Sequence, residues 1–228
     1  EMIADLWLSL LPILLAMLIS PARTIAVILL LHTPKQALTA FAYVCGMVAA
    51  MMVQGILFGF LFSFVGLTMD ERGAELTTLV SVLFILVGII MLTGAAKFIF
   101  QEEEDDKPPP AWLEKIEQLA PREAFSTGFG WLMVSPKQWA FVLTAVAVIF
   151  TANLDPIASL VNFFIFSVLI QLTYFLIIGI FLIMPNRSEA ILDGLLNWIN
   201  NNFRQVVIVL FAGLGLLFLI KGITGVLS

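Results

Sequence analysis

Long apolar segments alternate with short polar ones along the whole chain. Six segments are apolar over roughly 20 residues or more, the length that an α-helix needs to cross the hydrocarbon core of a bilayer. Because unpaired backbone groups are very costly in lipid and the segments lack the alternation of strands, each is predicted to be an α-helix. The predicted spans cover residues 7–31, 38–64, 76–100, 125–151, 157–184 and 206–227.

Composition assigns the chain to the integral membrane proteins. Apolar residues make up 61% of it and its mean hydropathy is +1.07, both well above the values of a soluble domain. The first apolar run follows no basic segment and precedes no small-residue cleavage site, so we expect the first span rather than a cleaved signal peptide. The predicted fold class is an all-α polytopic membrane protein with six transmembrane helices.

The longest connection combines an acidic run at residues 102–106 with Pro108-Pro109-Pro110. The net charge of -5 comes mainly from this run, which is typical of a solvated loop and gives no indication of nucleic-acid binding. A short helix on the membrane surface is predicted next, and a second one is predicted between Ser188, as N-cap, and Arg204. Packing of both against loops of the same chain is the alternative. The first helix would use Trp112, Leu113, Ile116 and Leu119, and the second Ile191, Leu195, Trp198 and Ile199.

Lysine and arginine are unevenly distributed over alternate connections. One set holds Lys35, Lys97, Lys107, Lys115, Arg122, Arg187 and Arg204, and the other holds Arg72 and Lys221. By the positive-inside rule, the first, third and fifth connections are predicted to be cytoplasmic. Both termini are then expected outside.

Two halves of the chain repeat the same pattern. Each first span contains a Ser-Pro followed by a cation, namely Ser20-Pro21-Ala22-Arg23 and Ser135-Pro136-Lys137. Each second span carries an amide, Gln54 or Gln171, and each third span ends in lysine, Lys97 or Lys221. Because three crossings invert the second copy, we predict two inverted three-helix repeats, each with a proline-broken first helix. The predicted units are residues 1–100, the cytoplasmic loop and surface helix 101–124, and residues 125–228.

The two Ser-Pro motifs form the candidate site. Proline removes a backbone hydrogen bond, so Pro21 and Pro136 are expected to break their helices and leave free N–H groups on the following segment. Such N-termini attract anions, and Arg23 and Lys137 add full charges there. The alternative is that the prolines only kink packed helices and that the cations reach an interface. We favour the functional interpretation because the feature occurs twice and charges inside membranes are usually functional.

Other polar residues of the spans extend this hypothesis. Gln54 and Gln171 would line the same cavity if a two-fold axis relates the halves, although a lone glutamine more often joins helices. Tyr174 lies on the helix face of Gln171 and could bind a head group or form a structural hydrogen bond. Four glycines are interpreted as close-packing positions between helices. They are Gly55, Gly59, Gly88 and Gly94.

The sequence lacks the side chains that several kinds of function require. No acidic residue lies well inside a predicted span, which disfavours a metal exporter or an acid-dependent proton antiporter. Cys45 is the only cysteine and His32 the only histidine, so a disulfide, a zinc site and a catalytic dyad are not expected. No Gly-rich ATP-binding loop occurs. We predict no enzyme activity, no metal and no cofactor.

Short motifs in a particular order resemble those of the peptidoglycolipid-addressing (sulfolipid-addressing) family of the lysine-exporter superfamily. In the first half they are Ser20-Pro21, Leu29-Leu30-Leu31, Thr33-Pro34-Lys35 and the stretch from Phe41 to Gly46. In the second half they are Pro109-Pro110-Ala111-Trp112, the run from Leu119 to Phe125, and Ser135-Pro136-Lys137, where members commonly have Asn-Pro-Lys. The resemblance covers essentially the whole chain. It implies an inverted-repeat protein of the bacterial cytoplasmic membrane that takes part in delivering glycolipids or related envelope lipids.

The functional prediction combines the residues with the resemblance. We expect an alternating-access or flippase-like transporter of an anionic, lipid-linked or amphipathic molecule, held by Arg23 and Lys137 and oriented by Ser20 and Ser135. Alternatives are an amino-acid exporter of the lysine-exporter type and a non-transporting scaffold that docks a lipid-export machine through its acidic loop. A channel ranks last because the spans have too few polar residues. Expected partners are membrane lipids, lipid-export proteins and a second copy in a homodimer.

Overall fold

The structure, a computed structural model, describes residues 2–18, 20–31, 35–64, 69–100, 116 and 118–227. The described residues form helices and contain no strand. The predicted acidic run and most of the first surface helix lie outside them. The helices are α1 (Met2–Leu18), α2 (Pro21–Leu30), α3 (Gln36–Phe64), α4 (Met69–Phe100), α5 (Pro121–Val134), α6 (Pro136–Thr151), α7 (Pro156–Ile170), α8 (Leu172–Ile183) and α9 (Pro185–Leu227).

Three stretches of single helix are long and apolar enough to cross a membrane: Gln36–Ser63, Thr78–Phe100 and Arg204–Leu227. Three bent pairs pass the same test together, namely α1 with α2, α5 with α6 and α7 with α8. The described residues therefore hold between three and six candidate spans. Each apolar segment of the sequence corresponds to one of these helices or pairs, and the all-α membrane class is confirmed.

Both Ser-Pro motifs break their helices. The residue before a proline is driven out of the helical region, and Ser20 (φ -138°, ψ 91°) and Ser135 (φ -83°, ψ 109°) are both extended. Proline then opens the next helix, a position where its missing N–H costs nothing. The axis turns by 62° between α1 and α2 and by 77° between α5 and α6. The predicted breaks at Pro21 and Pro136 are confirmed.

A third break interrupts the segment predicted as one helix over 157–184. The axis turns by 54° between α7 and α8. Gln171 lies at this bend, and no proline is present there. Its N–H donates to the Val168 carbonyl (3.0 Å), three residues back rather than four. This tightened turn ends α7, and the expectation of an uninterrupted second span is wrong here.

Close backbone approaches hold the helices together. Gly88 of α4 lies against the carbonyl of Gly215 in α9. A Cβ atom added at Gly88 would lie only 2.9 Å from that carbonyl oxygen. In the same way Gly128 of α5 contacts the backbone of Tyr43 in α3. The predicted close-packing role is confirmed at Gly88, and also at Gly55 and Gly94, which lie against phenylalanine rings.

The segment from Ser188 to Arg204 is not a separate surface helix. It is the first part of α9, a continuous helix of 43 residues, which at 1.5 Å per residue is about 65 Å long and exceeds the bilayer core. Because α9 begins at Pro185, Ser188 is not its N-cap. Leu192 is buried in the core, and Arg204 donates to the carbonyls of Phe98 (3.0 Å) and Ile99 (3.3 Å) at the end of α4.

Of the first predicted surface helix, Ile116 and Leu119 are described. Ile116 is buried in the core and Leu119 packs against it. These two residues favour the alternative of packing against the same chain.

Candidate functional site

Each Ser-Pro break leaves carbonyl groups at the end of a helix that need donors. At the first break, Arg23 Nη2 donates to the carbonyl oxygen of Met17 (3.3 Å). At the second, Trp139 Nε1 donates to Met133 O (2.8 Å), and Gln54 Nε2 of α3 donates to Leu132 O (3.1 Å). A side chain of the following helix thus stabilises each bend, and α3 adds a second donor at the second bend.

Arg23 is the most unusual residue of the site. Its side chain is only 8% exposed although it carries a guanidinium group. Nη1 has no hydrogen-bond partner. All acidic side chains that the structure describes are exposed, namely Asp5, Glu123, Asp155 and Asp193. Arg23 is therefore a buried cation without a counter-charge in the described part of the chain.

Two tyrosines lie within electrostatic range of Arg23. Tyr43 of α3 and Tyr174 of α8 interact electrostatically with the guanidinium and with each other. Both side chains are fully buried, and neither hydroxyl has a hydrogen-bond partner. The Tyr174 hydroxyl is directed towards Ser20 and Thr24 beside the first break. Helices α2, α3 and α8 thus bring two tyrosine hydroxyls near one buried guanidinium.

Lys137 does not occupy the position in the second break that Arg23 occupies in the first. Arg23 is two residues after Pro21, whereas Lys137 directly follows Pro136. One residue turns a helix by about 100°, so the two cations leave their helices in different directions. Lys137 is half-buried, and its Nζ lies 4.2 Å from the ring centre of Phe211 in α9. The field of Arg23 nevertheless reaches Lys137.

Gln138 occupies the position equivalent to Arg23. It is buried, and its Nε2 has no hydrogen-bond partner. Sequence reasoning paired the two cations and passed over Gln138, although counting from each proline would have found it. Tyr43 was also missed because it lies in an apolar run as an ordinary aromatic residue.

The remaining predicted residues lie at the breaks or between helices. Ser135 Oγ accepts a hydrogen bond from the Gln138 N–H (3.4 Å), whereas Ser20 makes no side-chain cap bond. Gln171 is fully buried and donates weakly to Met51 Sδ (3.5 Å), one turn from Gln54 on α3. The Oε1 atoms of Gln54 and Gln171 both lack a partner.

We refer to Arg23, Tyr43, Lys137 and Tyr174 as the charged cluster. Its charges are positive, and Arg23 Nη1 and the two tyrosine hydroxyls can donate to anionic oxygen, while the Oε1 atoms of Gln54 and Gln171 are unpaired acceptors. No group of three or more histidine, cysteine, aspartate or glutamate side chains that could hold a metal occurs among the described residues.

Comparison with known proteins identifies the family. A family model described as Sap, sulfolipid-1-addressing protein, matches residues 10–224, so the chain belongs to this family. No curated protein and no solved structure matches.

Proposed function

We propose that this member of the sulfolipid-1-addressing family binds the anionic head group of a lipid-linked molecule at its helix breaks and moves that molecule across the bacterial cytoplasmic membrane. The observation that carries the proposal is the buried guanidinium of Arg23, whose Nη1 has no hydrogen-bond partner and which faces no counter-charge among the described residues. A family concerned with sulfolipid addressing agrees with an anionic lipid as the ligand.

The cost of burying charge gives the physical reason. A buried cation without a partner loses its hydration, and a protein rarely retains one unless a ligand or a counter-ion compensates it. An anionic head group would accept hydrogen bonds from Arg23 Nη1 and from the hydroxyls of Tyr43 and Tyr174. Ligand binding would then satisfy three groups at once.

Lys137, Gln138, Ser20 and Ser135 have supporting roles in this proposal. Lys137 adds positive potential from the second break, while Gln138 offers an unpaired amide. The two serines lie at the starts of α2 and α6, where the helix dipole also favours an anion. Gln171 lies one turn from Tyr174 and is included as a positioning residue.

The proposed mechanism is alternating access between two inverted repeats. Its support is the recurrence of a Ser-Pro break in α1–α2 and in α5–α6, and the close packing of α4 against α9. With the positive-inside assignment, both termini lie outside. A homodimer, and partner proteins that supply the driving force, belong to the same proposal, which assigns no enzymatic step.

An amino-acid exporter of the lysine-exporter type fits less well. The carboxylate of an amino acid would suit Arg23. A basic side chain, however, would meet two positive residues, and each acidic side chain that the structure describes is exposed. The scaffold alternative depends on the acidic loop, which lies outside the described residues.

Replacing each tyrosine by phenylalanine tests the proposal. The Tyr43 hydroxyl has no partner, so Tyr43→Phe should not lower the thermal stability of the protein, and Tyr174→Phe should lower it only slightly, through the loss of weak contacts of its hydroxyl with Ser20 and Thr24. Both should weaken the stabilisation that phosphatidylglycerol gives to the protein in detergent, relative to phosphatidylcholine. Thermal unfolding with each lipid measures both effects.

Thr144→Val is the matched control. Thr144 is fully buried, but its hydroxyl already donates to Ala140 O (2.8 Å). This variant should keep the full response to phosphatidylglycerol. An equal response in both tyrosine variants and wild type would remove the anion site from this location.

A further inference from the structure

An apolar cleft shares no lining residue with the charged cluster. This cleft of about 730 Å³ runs between residues 55–63 of α3 and residues 156–163 of α7, with residues 146–154 as its floor. We refer to it as the α3/α7 cleft. None of its lining residues is charged and none belongs to the predicted site. Its volume lies in the range of small-molecule sites.

Two glycines on one side of α3 define the shape of the cleft. At Gly55 the ring of Phe163 occupies the space that a side chain would take, and this contact closes the inner end. At Gly59, one turn further along, an added Cβ would meet nothing within 4 Å. The close-packing role predicted for Gly59 is therefore wrong, because the missing side chain leaves the cleft open.

The surroundings of the cleft indicate a hydrocarbon occupant. Its α3 wall belongs to the candidate span Gln36–Ser63, so the neighbouring solvent is lipid rather than water. Ile56 and Phe60 at its edge are 57% and 69% exposed, which opens it sideways to acyl chains. The polar groups Asn153 and Ser159 lie near the helix ends at its outer part.

We propose that the α3/α7 cleft binds an acyl chain of the anionic lipid that the protein handles. The inference rests on the proposed function for the identity of that lipid. The charged cluster supplies donors for a head group but is buried among side chains, whereas the cleft supplies apolar volume without charge. Gly55 at the inner end directly follows Gln54, which holds the end of α5, so the cleft ends beside the second break.

Photo-crosslinking in nanodiscs tests this site. The discs contain phosphatidylcholine with a small fraction of phosphatidylglycerol that carries a photoreactive group at the end of one acyl chain. We expect label on peptides covering residues 55–63 and 146–160, and less label when the photoreactive chain is on phosphatidylcholine. Gly59→Leu should fill the cleft and remove this label, and leucine is a better helix former than glycine, so the fold should persist.

Gly179→Leu in α8 is the matched control, because an added Cβ there also meets nothing within 4 Å and Gly179 lies outside the cleft. It should leave the labelling unchanged. Equal labelling of the cleft by both lipids, or labelling that survives in Gly59→Leu, would overturn the inference.

Arg23→Met separates this inference from the proposed function. Loss of phosphatidylglycerol binding in Arg23→Met, together with cleft labelling that survives in Gly59→Leu, would overturn the acyl-chain site and support the anion site. Loss of the cleft label in Gly59→Leu, with Arg23→Met unchanged in binding, would support the acyl-chain site and overturn the anion site.

Discussion

At the first Ser-Pro break, one side chain has two roles. Arg23 donates to the carbonyl at the end of α1 and also brings the charge of the site. At the second break these roles are divided among Trp139 and Gln54, which bind the carbonyls of α5, and Lys137, which carries the charge. The same backbone bend is thus stabilised in two ways.

This difference shows what a repeated proline motif determines. The missing N–H and the ring of proline break the helix locally, so both copies bend. Which side chain then faces the interior depends on its angular position around the next helix, set by its distance in sequence from the proline, and on the neighbouring helices. The charge of the first break is therefore buried, while that of the second is half-buried on an aromatic ring.

The largest predicted effect separates the two cations. Arg23→Met removes a buried charge that an anion would neutralise, and losing one partner of such a pair costs about 2–5 kcal/mol of binding free energy. Lys137→Met should cost less, about 1 kcal/mol or below, because the side chain is half-buried and a solvent-screened ion pair contributes little. Titration of each variant with phosphatidylglycerol, using phosphatidylcholine as the reference lipid, measures both losses.

Stability without ligand provides the control for this comparison. Arg23→Met loses the bond to Met17 but also removes a buried charge that has no counter-charge among the described residues, so its unfolding temperature should change little. Equal losses of binding in the two variants would mean that the cations act as equivalents, contrary to the different positions described above.

Features that depend on local physics were predictable from the sequence. Segment length and apolarity indicated the helices, and Pro21 and Pro136 indicated two of the bends. The bend at Gln171 was not predictable in this way because no proline causes it. The inward directions of Tyr43 and Gln138, and the open space at Gly59, arise from packing between distant helices and leave no local pattern.

The second prediction concerns the carbonyl at the end of α5. Trp139→Phe removes the donor to Met133 O while keeping an aromatic ring against Phe58, whose centre lies 5.5 Å from that of Trp139. We expect a loss of about 0.5–1.5 kcal/mol in the free energy of unfolding, the net value of one hydrogen bond. Binding of phosphatidylglycerol should be retained, since Trp139 has a structural role only. Loss of lipid binding at unchanged stability would instead place Trp139 in the site.

The smallest predicted effect distinguishes the two serines. Ser135 Oγ accepts a hydrogen bond from the backbone of α6 at 3.4 Å, whereas Ser20 makes no such bond to α2. Loss of a capping serine costs about 0.5–2 kcal/mol, and the long distance places Ser135→Ala at the lower end. Ser20→Ala should change the unfolding free energy less, and paired thermal unfolding of the two variants measures the difference. A larger loss in Ser20→Ala would show that the first serine stabilises its break through the Tyr174 hydroxyl nearby. A serine would then stabilise each break, and the two breaks would differ in the group that the serine contacts.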